Sequence, residues 1–547
     1  MKFLRSEVAC AVKFLRSEVA NAVTRPPPLT LPGETVILGI SKEEGNPIME
    51  HYFLGIDQGT TGTTALLIDE RWQVAARVNV EHTQIYPRPG WVEHDPTEIW
   101  EAVLQAVDGV LKARGVRGEQ LLSIGLDNQG ETCMVWNRKT GQPVYNAIVW
   151  QDRRTAGEAE LLKEAYGDLF TRKTGLTPDA YFSATKLRWI LDNVPGVREE
   201  IRKGNILAGT LDSWLIWKLT GGRAFVTDPS TASRTMLCSI ETLDWDPELL
   251  ALCGIPREIL PPVRDTAELY GYTDPDVFFG ARVPVAASIT DSPAALLAQG
   301  CLAPGETKTT YGTGCFMYSS LGDRILRSEE GLLTSPTWRV AGKTGYALDG
   351  GIYIAGAAVQ WLRDKLRLVS SSAETEAMAR AVPDTGNVYF VPAFSGLASP
   401  HWDPYARGMI IGITGGTNAE HIVRATLESI AFQVCDTAKA MERSTGNPFA
   451  RMRVDGGPTA NGFLMQFQAD LLGVPVEVPQ NPEMTGCGAA FLAALAMGHF
   501  QSLEDIRPLW ALGRRYEPQM SEDQRQYRLH QWHRAVERCK GWEKEEL

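Results

Sequence analysis

This 547-residue chain has no apolar run of the roughly 18 residues that a membrane-spanning helix needs. Its longest candidate, "CGAAFLAALAMG" at 487–498, is short and rich in Ala and Gly, and it predicts a packed helix. The chain also has no C-x-x-C pair. Its nine cysteines are scattered, so neither a zinc site nor a disulfide framework is indicated. There is no basic excess either: 54 Lys and Arg stand against 66 Asp and Glu, a net charge of −12. Nucleic acid and anionic membranes are held by basic patches, so neither is expected as the main partner, and no membrane insertion is expected. What is present is ordinary for a globular protein, with 44% hydrophobic and 22% charged residues. The length exceeds one core and predicts about two to four domains. The cysteine usage points to a reducing compartment, the cytoplasm.

Residues 1–48 differ from the rest. "KFLRSEVACAV" at 2–12 is followed at once by "KFLRSEVANAV" at 13–23, the copies differing only at Cys10 against Asn21. A proline-rich connector follows, which favours extended chain. Two repeats cannot bury a face between them, so a disordered leader is expected. It lacks the apolar centre and cleavage site of a signal peptide.

From Met49 onward strands and helices alternate. "HYFLGID" and "TALLID" read as two strands joined by a tight turn. In "EHDPTEIWEAVLQAVDGVLKARG" the helix start is written out: Asp95 can cap, Pro96 suits the first helical position, and Glu98 stands three after the cap. Near Gly300 the pattern restarts, since "ETKTTYGTGCFMYSS" is again strand, Gly-Thr turn, strand. Two such units predict two related domains facing a cleft, over 49–297 and 298–547.

A Gly-rich turn after a strand has three readings. A dinucleotide fingerprint needs G-x-G-x-x-G opening a helix, and "GIDQGTTG" leads into a strand instead. "TWRVAGKT" at 337–344 approaches a P-loop but has Thr337 where the first Gly belongs, and lies between strands. The third reading is an actin-like ATPase fold, in which hairpin turns wrap phosphates with backbone N–H groups and Thr hydroxyls. Asp57, at the end of the first strand, would then face Mg²⁺, a hard ion that keeps several waters. Thr60, Thr61 and Gly62 would line the phosphate path, with the second turn "YGTGC" at 311–315 opposite. "MRVDGGPTANGFLMQFQADLLG" adds a strand, two glycines and a helix start, which offers free N–H groups. In "GIYIAGAAVQWLRD", Gly356 and Gln360 share a helix face on which a flat base fits.

The chain closely resembles the FGGY carbohydrate kinases, and within them the glycerol kinases. "YFSATKLRWILDN" at 181–193 and "GMIIGITGGTNAEHIVRATLE" at 408–428 look like the family's two signatures. "YPRPGWVEHDP", "YNAIVWQDRRT", "TASRTML", "TYGTGCFM" and "RVDGG" are similar at the level of whole phrases. The resemblance implies an α/β chain of two ribonuclease-H-like domains closing on ATP and a small polyol. It implies Asp291 as general base and as a polyol contact, with Glu131, Trp150, Tyr181 and Phe316 around the polyol. It implies Thr60, Thr61, Gly62, Thr313, Gly356, Gln360, Gly457 and Asn461 as nucleotide contacts. It also implies a homo-oligomer, a dimer or a tetramer.

Three departures stand out. The resembled glycerol kinases carry "NQRET", but here Gly130 replaces the arginine that would hold two substrate hydroxyls. A lost charged donor costs roughly 1.5–3 kcal/mol and is expected to leave a side-chain-sized hole. Either another basic group reaches in, or a longer acceptor, a C4–C5 polyol or a ketose, fills the space. The "GDQ" around the base has become Thr290, Asp291 and Ser292. Thr64 stands where the first turn usually carries a basic residue, which would leave phosphate neutralisation leaning more on Mg²⁺. Glycerol is the leading substrate expectation; a nucleotide-binding homologue with lost transfer is the alternative of another class. The glycine-rich loop that binds a sugar bisphosphate in some relatives is not matched, "DPDVFFGAR" at 274–282 standing there.

Overall fold

The strand pairs marked by the sequence pattern become the centres of two sheets. The computed structural model describes residues 50–544, and the tandem repeat and its connector lie outside the described residues. β1 (Tyr52–Gln58), β2 (Gly62–Asp69) and β3 (Val74–Glu81) form an antiparallel meander. Next come β4 (Glu93–His94), β5 (Leu121–Asn128), β6 (Cys133–Asn137), β7 (Ala147–Ile148), β8 (Ile206–Thr210), β9 (Ala267–Tyr272) and β10 (Pro284–Thr290). The first sheet has the order β3-β2-β1-β5-β10-β9, with β5 parallel to β1 and β10 parallel to β5. Its register sets Asp57 beside Thr64 on one side and Asp127 on the other. A smaller sheet, β4-β7-β6-β8, branches off beside it.

The second half supplies β11 (Thr307–Tyr311), β12 (Cys315–Gly322), β13 (Leu333–Val340), β14 (Lys343–Ile352), β15 (Tyr389–Val391), β16 (Met409–Ile411), β17 (Met452–Asp455), β18 (Val476–Pro479) and β19 (Leu512–Tyr516). The second sheet runs β13-β14-β12-β11-β17-β18-β19. β11, β12 and β14 make an antiparallel meander, and β17 and β18 extend it in parallel from β11. This repeats the plan of the first sheet, a meander extended beyond its first strand by two successive parallel strands. The near-P-loop segment is the β13–β14 hairpin, with Ala341 and Gly342 at its tip.

Helices follow from periodicity and caps. In the helix Pro96–Arg114, Ile99, Trp100, Val103, Val107 and Val110 share one buried stripe. Asp95 caps it by accepting from the Thr97 amide. Glu98 does not complete a capping box; it accepts instead from the amide and hydroxyl of Thr83. The Ala/Gly run forms the helix Met484–Ala496, which lies on the first sheet. Its backbone approaches so closely that a Cβ at Gly55 or Gly125 would overlap the carbonyls of Gly486 or Ala489, and small residues on both sides permit this contact. No helix among the described residues is long and apolar enough to cross a membrane. The eight described cysteines are all buried and unbridged.

Candidate active site

Asp57 ends β1, and the Gly59–Gly62 turn is closed by the Gly59 amide donating to the Gly62 carbonyl at 2.9 Å. Asp127 lies level with it on the parallel neighbour β5. Burial pushes Asp57 up to about 7, with the charge of Asp291 adding to the rise. Burial also raises Asp127 well above the usual carboxylate range, with Asp57 adding to it. Both carboxylate oxygens of Asp127 are buried with no hydrogen-bond partner among the described residues. Two adjacent carboxylates, one of them orphaned, are a donor set that suits a hard divalent cation such as Mg²⁺. Sequence reading found Asp57 from its turn but missed Asp127, whose partner is 70 residues away.

A cavity of about 530 Å³ is lined by Gly312 and Thr313 of the second turn, Gly356 and Gln360 of the helix Gly356–Asp364, and Gly457 and Asn461. The five nucleotide contacts expected in the second half therefore converge on one pocket of ligand size. The helix Gly462–Leu472 does not present all its N–H groups to this cavity. Asn461 caps it by accepting from the Leu464 amide, and Glu376 accepts from the Gly462 amide. A second cavity of about 630 Å³ holds Asp57, Thr64, Arg77, Thr310, Asp455, Glu483 and Arg514. Gly457 and Ala460 line both, so the two spaces adjoin; the first is lined wholly from residues 312–464, the second from both sheets. Arg77 bears on the third departure: this β3 side chain brings a guanidinium into the cavity of Asp57 and Thr64, pairing with Glu483 at 2.7 Å.

Thr60, Thr61 and Gly62 stand apart from these two linings. The Thr60 hydroxyl accepts from Trp150 Nε1 at 2.8 Å, tying the first turn to the polyol residues. Thr61 is exposed. A Cβ on Gly62 would lie 2.7 Å from the Val80 carbonyl oxygen, so this glycine lets β3 close on the turn.

The residues assigned to the polyol come together. Trp150 meets Tyr181 and Phe316 edge-on, with centroids 5.6 and 6.0 Å apart. Glu131, between β5 and β6, is buried, and its Oε1 accepts from Arg234 Nε at 2.6 Å. Arg234 also donates through Nη1 to Asp349 and Ser335, each at 2.8 Å. Asp291 begins the helix Asp291–Ala298 at the end of β10, accepting from the Ser292 amide at 2.5 Å. Burial and the negative Glu131 push it up to about 6, against the pull of Lys308 and Arg234. Lys308 is wholly buried, and its Nζ donates to Thr310 at 2.8 Å. Burial lowers Lys308, against the opposing pull of Asp455, Asp291 and Asp349. Arg234, Asp349 and Lys308 escaped sequence reading; "TASRTML" contains Arg234, but nothing local marks its direction.

The hole expected at Gly130 is not there. A Cβ at this position would lie 2.8 Å from Thr290 Cγ2 and 3.0 Å from Arg234 Cγ. Thr290 and Arg234 therefore take up the space next to the Gly130 backbone.

Parallel-extended meanders on both sides of a nucleotide-sized cavity, with a carboxylate at the end of β1 and another at the head of a helix, define a two-lobed phosphotransferase of the actin-like ATPase fold. The comparisons agree. The N-terminal domain of the FGGY family of carbohydrate kinases matches residues 52–298 and its C-terminal domain matches residues 307–497. This chain belongs to the FGGY family of carbohydrate kinases. Glycerol kinase 2 of Thermotoga maritima is 54% identical over 494 residues, covering 90% of this chain and 99% of its own. A Thermus thermophilus glycerol kinase is 50% identical over 489 residues, covering 89% and 99%. A crystal structure of Plasmodium falciparum glycerol kinase with ADP superposes with a TM-score of 0.82 at 34% identity, covering 91% of this chain and 99% of that one.

Proposed function

We propose that this chain is an ATP-dependent glycerol kinase that forms ADP and glycerol 3-phosphate. The observation that carries the reading is the setting of Asp291: it heads its helix, feels the charges of Glu131, Lys308 and Arg234, and Arg234 in turn joins Glu131 to the face of the Tyr181 ring. Relatives at 50–54% identity over nearly the whole chain favour glycerol as the acceptor. The longer-acceptor alternative is not favoured, since the relatives matched over nearly the whole chain at 50–54% identity are glycerol kinases.

In this reading Asp291 takes the proton of a terminal glycerol hydroxyl as that oxygen bonds to the γ-phosphorus and the bond to ADP breaks. Its raised pKa brings it nearer to working pH, which favours general-base action. Glu131 and Tyr181 fix the polyol hydroxyls, and Trp150 and Phe316 cover its carbon face and exclude water, a competing nucleophile. Thr313, Gly356, Gln360, Gly457 and Asn461 hold the nucleotide, and Thr60, Thr61 and Gly62 form the turn toward its phosphates. Asp57, with Asp127, would hold Mg²⁺, which supplies charge neutralisation at the phosphates. The two domains are 49–297 and 298–547, and the protein works as a cytoplasmic homo-oligomer.

The test is ADP release from Mg-ATP with and without glycerol. Saturable, glycerol-dependent release with glycerol 3-phosphate as product is expected. Release at the no-acceptor level would contradict the reading and favour a homologue with lost transfer.

A further inference from the structure

Resting on the glycerol kinase reading, the structure assigns a further specificity element: we propose that Arg234 supplies the polyol-orienting guanidinium that position 130 lacks, and that Gly130 and Thr290 are a compensating pair that holds it there. Three observations carry this. First, positions 130, 290 and 234 share one space: a Cβ at 130 would lie 2.8 Å from Thr290 Cγ2 and 3.0 Å from Arg234 Cγ. A side chain at 130 therefore collides with Thr290 and presses on the stem of Arg234, and removing the Thr290 side chain relieves the closer of the two contacts. Second, Thr290 is held in place. Its hydroxyl lies 3.2 Å from the Thr231 hydroxyl, and its amide donates to Ser230 Oγ at 2.9 Å. It is buried and cannot turn away into solvent.

Third, Arg234 is held by its neighbours on two sides while part of its fork stays unused. Nε is taken by Glu131, and Nη1 by Asp349 and Ser335 on β14 and β13. Nη2 has no hydrogen-bond partner among the described residues, nor has Oε2 of Glu131. The guanidinium carbon lies 5.8 Å from the Tyr181 ring centroid, which places the group at the polyol residues. The two residues, joined through Nε and Oε1, thus keep one free donor and one free acceptor, which is what adjacent polyol hydroxyls require. A buried guanidinium fixed by two carboxylates is also pre-organised, so little rotamer freedom is lost on binding.

The experiment measures kcat and KM for glycerol and ATP in wild type, Gly130→Arg, Thr290→Gly, the double variant, Arg234→Gln, Arg234→Lys, and the triple variant that adds Arg234→Gln to the double. Gly130→Arg alone should lose at least about 10-fold in kcat/KM for glycerol, and the double should regain most of it. Arg234→Gln should raise the glycerol KM about 10-fold or more with little change in ATP KM. The loss should be smaller for propane-1,2-diol, which lacks one hydroxyl, and the triple should regain glycerol affinity. Arg234→Lys, which keeps a charge for both carboxylates, guards against simple misfolding; it should melt near wild type and still show the raised glycerol KM. Additive effects at 130 and 290, or equal losses for glycerol and propane-1,2-diol, would overturn the proposal. No polyol-dependent turnover in wild type would instead sink the functional reading, and this inference with it.

Discussion

Gly456→Ala tests how the nucleotide cavity is built. Gly456 sits between β17 and the cavity with φ 90° and ψ 162°, a region open essentially only to glycine. A Cβ there would overlap the Tyr311 carbonyl oxygen outright and lie 2.9 Å from the Tyr311 carbon. The backbone penalty is about 1–3 kcal/mol, and the forced shift in a packed strand adds about 1–3 kcal/mol. At about 2–4 °C per kcal/mol for a lobe of this size, the melting temperature should fall by about 4–24 °C. Tyr311 leads directly into Gly312 and Thr313, which line the cavity. A displacement of about 1 Å there should raise the ATP KM or lower kcat by about 10- to 100-fold. Gly457→Ala is the matched control, because nothing lies within 4 Å of a Cβ at 457. It should melt within about 1–2 °C of wild type and affect only ATP binding. Differential scanning fluorimetry with an ATP titration of turnover reads both. A Gly456→Ala protein with wild-type melting and ATP KM would refute the reasoning.

Asp291→Asn should lower kcat by about 10²–10⁴ while the ATP KM moves only a few-fold, as steady-state kinetics would show. Because Asp291 is held up to about 6, kcat/KM in wild type should fall as pH drops through about 6; a limb near the ordinary carboxylate value of about 4 would contradict this. A carboxyl raised by folding favours the folded state below the ordinary carboxylate range and loses that contribution as pH rises through its folded pKa. Asp127 is such a group, so Asp127→Asn should raise the metal-free melting temperature at pH 8 by about 2 °C or more while lowering turnover; a drop in melting temperature would count against it. Arg77→Gln should lower kcat/KM for ATP by about 10-fold or more and leave the glycerol KM in place, and unchanged ATP kinetics would remove Arg77 from the phosphate path.

Local signals in this chain were legible and distant ones were not. The Asp57 turn and its second copy at 311–315 announce themselves through strand–turn–strand patterning. Helical spacing puts Gly356 and Gln360 on one face, and the family resemblance points that face to the nucleotide. The shared meander of the two sheets was foreshadowed by the restart near Gly300, although the halves share little sequence. What stayed hidden depends on register and tertiary contact. Asp127 matters because β5 lies parallel to β1 with Asp127 level with Asp57. Arg77 reaches the phosphate side only because β3 turns back beside β2, opposite Leu66. Gly130 read as a hole because its filler, Thr290, is 160 residues away in the chain. Distance along the chain also hid Arg234, whose partners Ser335 and Asp349 are 101 and 115 residues away in the other half.

The central claim is that glycerol is the phosphoryl acceptor. Its most direct test is a one-pot competition: Mg-ATP carrying a labelled γ-phosphate with equimolar glycerol, C4 and C5 polyols and the matching ketoses, followed by separation of the labelled products. Glycerol 3-phosphate should be the dominant product. A labelled pentitol or ketose phosphate in its place would contradict it.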